Sequence, residues 1–179
     1  MKYSMLFLFF LISACHHTNQ KEENSLYNYT VSNQSVELMS VTEFLEMTAI
    51  NGQMKVKLDQ LAMNRTKNEE VRALSELLIR DHSRSNNELM TLINVMNIRV
   101  EPILDNEHKK MIAFLEDAEN PDFDQTYLQM MIDIFENSIE EFKTYNSYVR
   151  DKHLDAWMND RLEMFNNHLS QARKIQQEL

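Results

Sequence analysis

Glycine is almost missing from this sequence. Gly52 stands alone among 179 residues, beside two prolines, one cysteine and one tryptophan. Sandwiches, barrels and doubly wound sheets need glycine and proline at their turns, so none of these is expected. Phosphate-cradling loops, dinucleotide-binding turns and nucleophile elbows each need several glycines in set places, and those enzyme classes go with them. A single cysteine rules out an intrachain disulfide. Positive charge is also short. Eighteen Lys and Arg face 28 Asp and Glu, for a net charge of −10. That balance repels phosphate backbones, and no nucleic-acid partner is expected. What remains in quantity is Leu, Met, Glu, Lys, Gln and Ala, the good helix formers.

The first residues, MKYSMLFLFFLISAC, carry Lys2, then an apolar run from Met5 to Ile12, then Ile12-Ser13-Ala14-Cys15. A short positive region ahead of a short apolar run is the pattern of a secretion signal. The run is about half of the roughly 20 residues that span a bilayer. Ile12-Ser13-Ala14-Cys15 resembles the lipobox of bacterial lipoproteins, in which small residues fit the signal peptidase and the cysteine thiol takes a diacylglyceryl group. The expected organisation is a signal peptide over 1–14, a lipidated Cys15 and flexible polar tether over 15–39, and a helical domain over 40–179. Membrane lipid, held through acyl chains such as palmitate on Cys15, is thus an expected partner. His16 follows the cysteine, rather than the Asp that resembles an inner-membrane retention signal, so the expected place is the outer membrane of the cell envelope. His16 and His17 are read as solvated tether residues.

Beyond the tether the apolar residues recur at helical spacing. Ser40-Val41-Thr42-Glu43 is a capping box, and Phe44, Met47, Met54, Leu58 and Leu61 follow on one stripe, with Asn51 at the skipped position. A second helix is expected from about Asn68 to Asn97, with Val71, Leu74, Leu78, Leu89, Leu92 and Met96 inward and His82 and Ser85 filling the gap. Pro102 breaks the pattern over 98–104, and a short helix from Asp105 to Asp117 follows. Asn120-Pro121-Asp122 reads as the cap and first turn of a helix reaching about Arg150, with Phe123, Tyr127, Met131, Ile134, Phe135, Phe142 and Val149 inward, and a last helix runs from about His153 to Gln177. These make an all-α, ferritin-like four-helix bundle with a short extra linking helix.

Chemistry is sparse. Glu116, Asp117, Glu119, Asp122 and Asp124 crowd one junction, but without the spacing or glycine of a calcium loop. Di-metal bundles use Glu-x-x-His pairs, and the nearest match is Asp105-Asn106-Glu107-His108. His82 and His168 both lie on apolar sides and could meet inside the bundle, as hydrogen-bonded core residues or as metal ligands. Two imidazoles fall short of the three or four ligands a structural or catalytic zinc takes.

The stretches FLEMTAINGQMKVKLDQLA from Phe44, NEEVRALSELLIRDHSRSNNEL from Asn68, Phe123-Asp124-Gln125-Thr126-Tyr127 and Asn167-His168-Leu169 resemble the bacterial family called domain of unknown function 4142. The likeness covers about residues 40–177 and implies an exported ferritin-like bundle. It also implies a metal-binding constellation of one Glu and three His. His82 and His168 match two of those positions, whereas Lys55 stands at the Glu position and Phe135 at the middle His position. The resulting expectation is a membrane-anchored, non-catalytic envelope module without a cofactor, which binds a protein partner or serves in stress tolerance. The alternative is a metal-binding, oxidative-stress protein that uses His82 and His168 with acids such as Asp81.

Overall fold

The computed structural model describes residues 39–119 and 122–179. The expected signal, Cys15 and the tether up to residue 38 lie outside the described residues, as do Asn120 and Pro121. Five helices are present: α1 (Val41–Arg65), α2 (Glu69–Val95), α3 (Asn106–Asp117), α4 (Phe123–Asn146) and α5 (Lys152–Glu178). Among the described residues there is no strand.

Each helix start has a local cause. Ser40 and Glu43 close the expected capping box. Asn68, Asp105 and Asp151 each accept two backbone amides at the starts of α2, α3 and α5. The start of α4 differs from expectation. The helix begins at Phe123, and Asp122 occupies the cap position without a side-chain bond. Its end differs too, at Asn146 rather than near Arg150. Asp151 needs extended backbone to cap α5, so the chain leaves α4 early and Val149 sits in the turn.

The four long helices form two antiparallel hairpins, α1–α2 and α4–α5. Phe44 stacks on Tyr145 at 3.9 Å, which sets the start of α1 beside the end of α4. Asp81 meets His168 and Glu88 meets Arg161, so α2 runs antiparallel to α5. The helices α2 and α4 are therefore parallel, and a single long crossover joins them, as in ferritin-like bundles. That crossover is stitched along α1. Glu46 accepts the Glu101 amide, Gln53 donates to the Pro102 carbonyl, and Asn51 meets His108 Nε2 at 2.8 Å. At the far end, the Arg65 guanidinium donates to the carbonyls of Leu115, Glu116 and Ala118.

One core fills the bundle, with Phe44, Leu58, Leu78, Leu89, Tyr127, Phe135 and Met158 all closed to solvent. The expected stripes hold with small shifts. Met47, Leu61, Leu92, Met96 and Ile175 are half-buried at its margin. The buried face of α1 also carries two charges, Lys55 and Asp59, one turn apart.

Candidate functional site

Halfway along the bundle the core turns polar. From α1, Asp59 is fully buried. One of its oxygens accepts the Tyr127 hydroxyl of α4 at 2.8 Å, and the other lies 2.7 Å from His82 Nδ1 of α2. From α5, His168 Nε2 lies 3.0 Å from Asp81 of α2. Each imidazole thus directs one N–H at a carboxylate, which fixes the orientation of the ring and leaves its other nitrogen as the acceptor. Those other nitrogens, His82 Nε2 and His168 Nδ1, are buried without a hydrogen-bond partner. The rings meet edge to face with centroids 5.5 Å apart. The sequence expectation that the two histidines come together is met by this packing.

The remaining neighbours are a cation and aromatic rings. Phe135 lies 5.9 Å from the His82 ring and 5.5 Å from the His168 ring. The Lys55 ammonium sits 4.5 Å from the Phe165 ring centre, a cation–π contact. Lys55 is 5 % exposed, and burial lowers its pKa to about 8 against the opposing pull of Glu141 and Asp59. Burial first, then the charge of His82, lowers His168 to about 4, although Asp81 opposes the shift. Burial and the Asp59 charge hold the Tyr127 phenol well above its ordinary value, so it stays a donor. Burial raises Glu141, while Lys55 opposes.

A cavity of about 10 Å³ lies beside His82, Lys55, Ser85 and Trp157. That is room for about one water or one ion, and none for an organic substrate. A wider groove of about 400 Å³ opens between α2 and α5, with Asp81, Arg84, Arg161, Met164 and His168 on its walls. Among the described residues, no three His, Cys, Asp or Glu side chains converge as metal ligands. The two bare nitrogens suit a metal. The ammonium and the phenyl ring beside them do not suit a divalent one, which needs more ligands and no neighbouring cation.

Asp59, Tyr127 and Glu141 were not singled out from the sequence. The signal for Asp59 was present: Gly52, Lys55, Asp59 and Ala62 follow at three, four and three, a second stripe beside the apolar one. Small residues at both ends of that stripe mark close packing. A Cβ on Gly52 would lie 1.9 Å from the Asn86 side chain of α2. Nothing local marks Tyr127 or Glu141, whose roles come from the packing of α4 on α1.

The model of a protein family described as Domain of unknown function (DUF4142) matches residues 30–175. The chain belongs to this family. Comparison with curated proteins gives no match. Among solved structures, CopM in its Cu(II)-bound form superposes with a TM-score of 0.67 at 20% identity, over 76% of this chain and 95% of that one. CopM in its Cu(I)-bound form gives 0.68 at 18% identity, over 79% and 98%. A DUF305 fragment from Deinococcus radiodurans gives 0.69 at 10% identity, over 77% and 95%. At these identities the likeness is one of fold. The family carries the fold expectation through: this is an all-α bundle domain of unknown function.

Proposed function

We propose that the chain is an envelope lipoprotein, held to the membrane through lipidated Cys15, whose bundle is a non-catalytic module that engages an envelope protein. The observation that carries the non-catalytic part is Lys55. Its ammonium lies in the same polar core as His82 and His168, where a bound divalent ion would need free space and ligands. The acid-rich, lipobox-led sequence supports placement in the envelope, most consistently at the outer membrane. Protein purified anaerobically from its own membranes should carry no stoichiometric metal and take up no zinc. Crosslinking in cells should capture a defined envelope protein. Zinc or iron near one per chain, lost in His82→Ala, would overturn the reading.

A second reading has its own observation. His82 Nε2 and His168 Nδ1 are bare and buried, and two nitrogens suffice for a soft monovalent ion that accepts linear coordination. The fold is shared with CopM in its copper-bound and silver-bound forms. On this reading the chain binds Cu(I) or Ag(I), and Met164 in the adjoining groove offers a thioether on the way in. Anaerobic Cu(I) titration against a competing chelator separates the two. Binding that disappears in His82→Ala and His168→Ala supports the second reading, and failure to compete at any ratio ends it.

A further inference from the structure

Three rings meet in the polar core at nearly equal spacing. The His82 and His168 centroids are 5.5 Å apart, and the Phe135 centroid lies 5.9 Å from the first and 5.5 Å from the second. Helices α2, α4 and α5 supply one corner each of this triangle, and all three side chains are buried. The spacing has a chemical meaning. A Zn–N bond of about 2.0–2.1 Å puts the centre of a bound imidazole about 3.2 Å from the metal. Three imidazoles at tetrahedral or trigonal angles around one ion then have centres about 5.2–5.5 Å apart. The core therefore has the dimensions of a three-imidazole site. Two of its corners offer nitrogens that are buried without a partner, His82 Nε2 and His168 Nδ1. Asp59 and Asp81 hold the other nitrogen of each ring, as carboxylates behind metal-binding histidines do. The third corner is a phenyl ring, which has no lone pair to give.

We infer that Phe135 sets the ion specificity of this core: it fills the third ligand position, so the histidine pair offers two nitrogens and a divalent ion finds no third ligand. The inference rests on the reading above that the wild-type core holds no divalent metal, and it names a cause beside Lys55. A divalent ion of the zinc type takes three or four protein ligands. Two nitrogens alone suit only an ion that accepts linear coordination. The nearby carboxylates do not make up the number. Asp59 is engaged by Tyr127 and His82, and Asp81 by His168 and Arg84. Phe135 is itself packed against Phe165, with centroids 6.2 Å apart, which holds its ring in the corner. A ligating side chain at position 135 should therefore open the core to a divalent ion, with no other part of the site rebuilt.

The test is Co(II) uptake by full-length protein in detergent, read from the visible absorption of tetrahedral Co(II) and from metal content after gel filtration. Phe135→His supplies a third imidazole, Phe135→Cys a thiolate, and Phe135→Leu removes the ring without adding a ligand. Near-stoichiometric uptake is expected with Phe135→His or Phe135→Cys, and severalfold less with wild type and Phe135→Leu. The gain should vanish when His82→Ala or His168→Ala is added. Lys55→Met on top of Phe135→His should tighten binding further, because it removes the ammonium that shares the core. Helicity is followed by circular dichroism with and without the ion, and a variant that regains its helices on adding Co(II) counts as binding. No uptake by either ligand-bearing variant, folded or not, overturns the inference and leaves the wild-type reading standing. Equal uptake by Phe135→Leu also overturns it, since no ligand at 135 is then needed. Stoichiometric uptake by wild type, lost in His82→Ala, overturns that reading and the inference with it.

Discussion

Lys55 brings a full charge into a place with almost no water. Only a phenyl ring and two carboxylates at longer range compensate, and burial still dominates. Lys55→Met should therefore stabilise the fold by about 1–3 kcal/mol at pH 7 in urea denaturation. The sign follows from linkage. The folded pKa, about 8, lies below the unfolded value near 10.5, so the wild-type penalty is complete below pH 8 and fades as pH rises to 10.5. The advantage of the variant should shrink across that window. A loss of stability would mean that the pairing with Glu141 outweighs burial. His168 makes a similar case at acid pH. Its folded pKa of about 4 lies below the unfolded 6.5, so stability is lost as pH falls from 6.5 toward 4. His168→Gln should lose less than wild type over that range. Asp59→Ala should cost about 3 kcal/mol, because it strands the Tyr127 hydroxyl and His82 Nδ1 together. The histidines were legible in the sequence because they interrupt apolar stripes. Tyr127 read as one more core aromatic, since its partner lies 68 residues away and no periodicity reports it.

Helices were the most legible level, for a physical reason. Caps and stripes are local, so Ser40, Asn68, Asp105 and Asp151 sit where their chemistry puts them. The errors fell at α4, where two neighbouring signals competed. The cap at Asp151 took backbone that the α4 stripe would otherwise have claimed through Val149. The crossover helix α3 is short and depends on tertiary bonds. Arg65 supplies most of these at its end, with three carbonyl contacts from one side chain. Arg65→Met should raise the hydrogen-exchange rates of α3 amides by about tenfold or more, equivalent to about 1–2 kcal/mol of local stability. Amides in α1 and α2 should change far less. Uniform acceleration across all five helices would contradict the view of α3 as a separately fastened segment.

At the scale of the whole molecule, the order of parts carries the functional reading. Ile12-Ser13-Ala14-Cys15, which resembles a lipobox, precedes a polar stretch, and a bundle follows whose interior histidine pair shares its space with Lys55. Fold and family were visible from composition and short motifs, because near-absence of glycine leaves few architectures other than helices. The polar core was not visible at this scale, because Asp59, His82, Tyr127 and His168 meet only when α1, α2, α4 and α5 pack together. The account stands or falls on Cys15. Labelled palmitate fed to cells should enter the wild-type protein and leave Cys15→Ser unlabelled, with the variant recovered in the soluble fraction. Equal labelling of the two, or no label in a wild-type protein that is freely soluble, would contradict it.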